Sequence, residues 1–310
     1  MNSIAIIISH FGLLPRYLDY FLQSCSYNKN ITFFIFTDQV FDVYPIYTNV
    51  RFIPFSLAQF NALATRKIAK PVQVAKAYKL CDFKPAYGLI YEDYIESYDF
   101  WGFCDTDMVF GDTIKVLTPQ LLAAHDVISA HPQYVSGPFT LFRNIPETKR
   151  LFLKSNDIDR VLTEQRTMKF CEASNAIQHL WEGYDLFDFP SEIESMTHLL
   201  KTPKKGDLRV LFSDMITERL QREITWENGL LFDDRKEIFI FHFIIYKTKT
   251  YFNISTWTNP RKFYFTKCGF FLNTIRSYTV CWAISILLNI SYKSKRKITQ
   301  WQKIGINYIR

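Results

Sequence analysis

The stretch from Tyr98 to Asp112, YDFWGFCDTDMVFGD, decides the fold. Its first part, Phe100 to Cys104, is uncharged and rich in aromatic residues, as a central strand is, and it runs directly into Asp105, Thr106 and Asp107. In an extended chain residues i and i+2 point the same way, so the carboxylates of Asp105 and Asp107 converge where a buried strand surfaces. Two like charges so close disfavour joint ionisation, and a hard divalent cation with oxygen ligands removes the conflict. The competing reading is a polar strand end whose aspartates cap the next turn. The apolar triplet Met108 to Phe110 and the Gly111-Asp112 turn that follow favour the metal site.

Outward from this stretch, the N-terminal part reads as a parallel, doubly wound α/β sheet. Ile4 to Ser9 is a buried strand. Leu14, Tyr17, Leu18, Phe21 and Leu22 then recur at helical spacing, with Pro15 suited to a first turn. Ile31 to Phe36 and Val50 to Phe55 are further strands. Such sheets bind ligands at the carboxyl ends of their strands, where the turn from Ser9 to Gly12 and Asp38 fall. The chain has no G-x-G-x-x-G or Walker glycine loop, so any nucleotide must be held through a metal and side chains.

Upstream of the metal strand, Ala75 to Tyr94 reads as two helical pieces interrupted at Pro85, with Asp82 and Lys84 in the break. Downstream, Leu117 to Ala124 reads as a helix, and Asp126 to Ala130 and Gly137 to Asn144 as strands. Residues 145 to 180 read as mainly helical, with Glu172 and Asn175 near a helix start. Ile238 to Ile245 is an apolar strand interrupted by one polar residue, His242, with Lys247 five positions on. A histidine so placed is either a satisfied core residue or a ligand.

The 310 residues are 48% hydrophobic and 22% charged, an ordinary globular composition. The net charge of +7 is unevenly spread: residues 1–235 carry 24 basic against 29 acidic side chains, and residues 236–310 carry 13 against 1. With the body mildly acidic and no helix-turn-helix, zinc-finger or RNP-like pattern, nucleic acid is not the expected partner. The six cysteines form no C-x-x-C pair, which argues against a zinc site or a disulfide framework. The N-terminus has no basic stretch ahead of its short apolar run, so it is read as a core strand in a cytoplasmic protein.

The blocks IISHFGLLPRYLDYFLQSC, FFIFTD, YKLCDFKPAYG, YDFWGFCDTDMVFGD, GPFTLFRN and FHFIIYK together resemble a sugar-nucleotide glycosyltransferase of the GT-A type, and within it a bacterial family catalogued as a domain of unknown function. The resemblance spans roughly residues 3–250. It implies a single Rossmann-like domain over 1–250, followed by a basic, partly amphipathic extension over 251–310. It also implies that Asp105 and Asp107 hold Mn²⁺ or Mg²⁺ on a donor diphosphate that Lys247 touches; Ser9 and Asp38 at the sheet edge, with Lys84 and Thr106, are the further residues expected around the nucleotide. Glycogenin-like relatives supply a late His as a further ligand, which maps onto His242. An Asp and a basic residue ahead of the metal strand contact the donor sugar, which maps onto Asp82 and Lys84. Where that family shows Asp-Glu this chain has Cys171-Glu172, so Glu172 alone carries over as the acceptor-side carboxylate.

The expected activity is metal-dependent transfer of a hexose from a nucleotide diphosphate, UDP by preference, to a glycan or lipid-linked glycan of the cell surface. The rivals are a metal-dependent phosphodiesterase or nucleotidyltransferase, and a non-catalytic glycan-binding protein that would use the 17% aromatic content. Finally, the sixteen uncharged residues SYTVCWAISILLNISY (277–292) are followed by Lys293, Lys295, Arg296 and Lys297. The run is short for a membrane span of about 20 residues and suits a helix lying on an anionic membrane surface, with a last core helix as the alternative.

Overall fold

The computed structural model describes residues 2–202, 208–275, 277–284 and 286–287. The first eight strands are β1 (Ile4–His10), β2 (Ile31–Thr37), β3 (Val50–Pro54), β4 (Phe100–Cys104), β5 (Met108–Phe110), β6 (Val127–Ser129), β7 (Phe139–Arg143) and β8 (Val210–Phe212). Among the described residues, seven of them form one sheet in the order β3-β2-β1-β4-β7-β6-β8. Only β7 runs against the others. The sheet is therefore mostly parallel, as the buried character of its strands implies.

Both faces are covered, and the strand period decides which side chain goes where. From β1, Ile4, Ile6 and Ile8 pack with Leu18, Phe21 and Leu22 of α1 (Leu18–Ser26). The alternate residues Ala5 and Ile7 join Phe60 and Ala64 of α2 (Leu57–Ile68), together with Tyr87, Ile90 and Tyr91. β4 divides the same way, with Phe100 and Cys104 on one face and Trp101 and Phe103 on the other. Its end is thus fixed from both sides. α2 starts on a capping box, in which Ser56 accepts from the Gln59 amide and Gln59 reaches back to the Ser56 amide.

The second half adds β9 (Ile216–Thr217), β10 (Ile224–Glu227), β11 (Leu230–Asp233), β12 (Lys236–Ile238), β13 (Ile240–His242), β14 (Asn253–Ile254), β15 (Lys262–Thr266) and β16 (Gly269–Phe271). Six of these form a mainly antiparallel sheet ordered β12-β11-β10-β15-β16-β14, and β5, β13 and β9 form a third, smaller one. β14 to β16 lie beyond residue 250, the boundary expected between enzyme body and extension, and they complete a sheet begun before it. Trp226 ties this part to β5, donating from Nε1 to the Phe110 carbonyl at 3.0 Å.

The structure departs from the sequence reading at three places. The run from Ile238 to Ile245 is not one strand: β12 and β13 belong to different sheets, and after His242 the backbone turns into a short helix, Ile244–Lys247. Ala77–Ala86, with Pro85 inside it, is a 3₁₀ segment and is followed by short helical turns. Residues 145–180 form several short helical segments separated by turns rather than long helices.

Candidate metal and donor site

Three separate elements deliver the site. β4 ends at Cys104, and Asp105 is held immediately after it by its amide donating to the Pro138 carbonyl at 3.1 Å. Two residues on, Asp107 precedes β5, whose Met108 pairs directly with His242 on β13. The Phe243 amide donates to the Asp107 carbonyl at 3.1 Å, so backbone pairing alone sets the imidazole beside the carboxylate. One ligand atom each from Asp105, Asp107 and His242 lies within 4.8 Å of the others. Asp107 and His242 are buried, and Asp105 is half-buried.

The turn after His242 does further work. Because the chain becomes helical at Ile244, Lys247 comes back to the cluster, its Nζ 2.8 Å from Asp107 Oδ2. On the other flank, Lys84 Nζ lies 2.5 Å from Asp105 Oδ1 and donates to the Gly137 carbonyl at 2.8 Å. Burial opposes the Lys84 charge, and the Asp105 carboxylate outweighs it, so the lysine is held well above its ordinary range. Burial likewise acts against ionised Asp107, but His242 and Lys247 hold it below the usual carboxylate range. Burial also disfavours a charged His242, and the carboxylates of Asp107 and Glu218 outweigh it, lifting the ring to about 9.

The donor set fits a hard divalent cation. It offers two carboxylates and an imidazole, and His242 Nε2 is buried without a hydrogen bond although it lies 3.2 Å from Asp107 Oδ2. Two carboxylates with one imidazole suit Mn²⁺ or Mg²⁺ better than a soft metal that prefers thiolates. Among the described residues no cysteine belongs to the cluster.

Two cavities meet at this point. The smaller, about 370 Å³, lies at the carboxyl ends of β1 and β4 and is lined by Ser9, Tyr17, Thr106, Asp107 and Lys247. The larger, about 600 Å³, is walled by Tyr134, Lys169, Glu172, Trp181, Glu218 and Arg219. Lys84 and Asp105 line both, so the cluster stands in the partition between them. Glu172 sits against Gly137, where a Cβ would come within 2.7 Å of its Oε1, so a side chain at 137 would push the carboxyl aside. Burial raises the Glu172 carboxyl above its ordinary range, against the pull of the Lys84 charge.

The structure brings most of the expected residues together: Ser9, Lys84, Asp105, Thr106, Asp107, Glu172, His242 and Lys247 all line one cavity or the other. Two it does not. Asp82 lines neither cavity, because its carboxylate is engaged by Lys79 Nζ and by the amides of Met168 and Phe170, each at 2.8 Å. It frames the loop that carries Lys169 and Glu172. Asp38 also lines neither; it accepts from the Gly12 amide at 2.9 Å and fixes the turn after β1. The sequence reading missed Tyr17, noted only for its helical spacing, and Glu218, which falls in a polar stretch. It also missed the aromatic wall of the large cavity, where Tyr78 and Trp181 stand exposed and His131 stacks on Tyr134 with ring centroids 3.7 Å apart.

The model of a family described as "Family of unknown function (DUF6625)" matches residues 6–272. No curated protein matches the chain. Among solved structures, a galactosyltransferase, LgtC, in complex with donor and acceptor sugar analogs is similar with a TM-score of 0.31 and 12% identity, over 53% of this chain and 68% of its own. The glycosyltransferase GlyE of Streptococcus pneumoniae TIGR4 is similar with a TM-score of 0.30 and 10% identity, over 61% of this chain and 52% of its own. Its apo form gives 0.28 and 10%, over 48% and 34%. Likenesses this slight carry no weight on activity, which has to be read from the site itself.

Proposed function

The chain belongs to the family of unknown function DUF6625, and from that premise we propose that it is a metal-dependent glycosyltransferase of GT-A type, moving a hexose from a nucleotide diphosphate to a saccharide acceptor. The observation that carries this reading is the position of the Asp105, Asp107 and His242 cluster in the partition between two adjoining cavities. The smaller cavity takes the nucleoside diphosphate, with UDP as the first candidate. The larger takes the sugar and the acceptor, whose pyranose faces find the exposed rings of Tyr78 and Trp181. Mn²⁺ or Mg²⁺, when bound, acts as a Lewis acid toward the charge that develops on the leaving diphosphate. Lys247 adds a fixed positive charge on the same side. Lys84 holds Asp105 in place and also binds the carbonyl of Gly137, the residue against which Glu172 packs. Glu172, whose basicity burial raises above that of an ordinary carboxylate, is the group on the acceptor side that takes the hydroxyl proton.

A phosphodiesterase or nucleotidyltransferase working with two ions needs a second ligand set about 4 Å away. Among the described residues the metal-competent cluster is the single one formed by Asp105, Asp107 and His242. Calorimetric titration with UDP is expected to give binding with Mn²⁺ and at least about tenfold weaker binding without it, since ~1.4 kcal/mol of metal–diphosphate contact suffices for that ratio. A panel of sugar nucleotides then identifies the donor through slow metal-dependent hydrolysis. UDP binding unaffected by metal, or absent in both conditions, rejects the transferase.

We further propose an anionic membrane surface as a partner, with a lipid-linked glycan as the acceptor and the cytoplasmic face as the location. What supports this is a helix turned inside out. The described residues of 274–287 are helical, and Ile275, Tyr278, Trp282 and Ile286, at spacings of three and four, are exposed along one side. On the other side Ser277 is buried, and Cys281 Sγ lies 3.2 Å from Thr266 Oγ1. The basic group Lys293 to Lys297 lies outside the described residues, and no helix among them is long and apolar enough to cross a membrane. Because β16 ends at Phe271, inside the six-stranded sheet, the membrane-facing extension starts after it. Trp282→Asp in the full chain is expected to weaken binding to phosphatidylserine-containing vesicles about tenfold or more while melting as the parent does, since Trp282 is 67% exposed. Parent protein that ignores such vesicles at low salt overturns the proposal.

A further inference from the structure

We propose that Glu218 is the positioning residue for the metal-ligating histidine, forming with His242 a carboxylate–imidazole pair that presents Nε2 to the ion. The inference rests on the metal-site reading above.

The placement comes from sheet register. β9 runs parallel to β13, with Ile216 opposite Ile240 and Thr217 opposite Phe241, so the next residue, Glu218, comes alongside His242. Its Oε1 lies 2.8 Å from His242 Nδ1. A carboxylate there accepts a hydrogen bond from Nδ1–H, so that when Nε2 gives up its proton to an ion the ring is held as the Nδ1–H tautomer with the Nε2 lone pair free. Nε2 is the atom that faces Asp107 Oδ2 at 3.2 Å and makes no hydrogen bond. With the ring buried and paired through Nδ1, rotation about its own axis would break that bond and turn carbon toward the cluster. Such outer carboxylates fix ring orientation and raise ligand basicity, and their loss typically costs about 10- to 100-fold in metal affinity.

Among the described residues the one ion pair of Glu218 is with His242; its side chain is 46% exposed and otherwise forms part of the wall of the large cavity. A residue kept for solubility would have no reason to face the one buried imidazole of the cluster.

The test is Mn²⁺ affinity of the full chain without donor, measured by electron paramagnetic resonance of the free ion. Glu218→Ala is expected to bind Mn²⁺ about 10- to 100-fold more weakly than the parent. Glu218→Gln is expected to stay within a few fold, because its amide oxygen accepts the same bond from Nδ1. In the Mg²⁺-loaded protein, nitrogen-15 spectra are expected to show His242 protonated on Nδ1 in the parent and in Glu218→Gln. Parent-like affinity in Glu218→Ala overturns the assignment, and so does an equal loss in Glu218→Gln, which would indicate a charge effect without positioning. A parent that binds no Mn²⁺ fails differently: it removes the metal site itself.

Discussion

Asp105→Asn and Asp107→Asn are each expected to lower Mn²⁺-dependent donor turnover by about 10³-fold while leaving the chain folded. A bound divalent ion contributes several kcal/mol to a transition state in which charge builds on a leaving phosphate, and about 4 kcal/mol corresponds to that factor. Either change removes a ligand charge from a three-residue cluster, so the ion is weakened at its source. The backbone around these two carboxylates does not depend on their charge. The amide of Asp105 keeps its bond to Pro138, the carbonyl of Asp107 keeps its bond from Phe243, and β4 stays paired with β1 and β7. Of the cations left behind, Lys247 is about a third exposed and can turn to water, whereas Lys84, only 9% exposed, keeps the Gly137 carbonyl at 2.8 Å as its acceptor, so Asp105→Asn is expected to be the less stable of the two variants. Mn²⁺ affinity and turnover of a donor sugar nucleotide are the measurements, with circular dichroism as the control on folding. Normal turnover or normal affinity in either variant would take the aspartate pair out of the metal site.

The cluster was legible in the sequence because each of its members breaks a pattern. Asp105 and Asp107 interrupt an apolar strand at a spacing that puts both on one side, and His242 is the single polar residue of an apolar run. Lys247 was visible only as a neighbour of that run. Its route into the site depends on the turn at Phe243, which composition hides, because Ile244 and Ile245 are apolar yet 40% and 41% exposed at the cavity wall. Glu218 left no local trace. It follows a two-residue strand, and only the pairing of β9 with β13 says that it meets His242.

The six-stranded sheet had a signal that went unused. Asn228 and Gly229 both take positive φ, at 48° and 87°, between strands ending at Glu227 and starting at Leu230, and Asn-Gly between such runs is the usual mark of a two-residue hairpin. Its strands are three to five residues long apart from a two-residue edge, too short for an alternating pattern to stand out. Asp82 shows the opposite situation. Its position ahead of the metal strand suggested contact with the donor, and the pull that placed it is internal.

Asp82→Asn is accordingly expected to cost stability and not chemistry. The Asp82 and Lys79 side chains are 0% and 1% exposed, with Nζ 2.8 Å from Oδ2. Breaking a buried pair by removing one charge strands the other, at a cost of about 3–5 kcal/mol. Lys79 would keep the Arg166 carbonyl, 3.0 Å away, as a neutral acceptor that offsets part of this. The asparagine also has one oxygen where the carboxylate had two, so one of the two loop amides, from Met168 or Phe170, loses its acceptor. Denaturant unfolding should therefore show a loss of that order, while UDP binding and turnover per folded molecule hold at the parent level. Lys79→Met combined with Asp82→Asn removes the stranded ammonium and is expected to recover most of the loss, the unpaired amide accounting for the remainder. A single variant that keeps its stability but loses donor binding would return Asp82 to the donor site, and a double variant no better than the single would mean that the loop amides, and not the ion pair, hold this region.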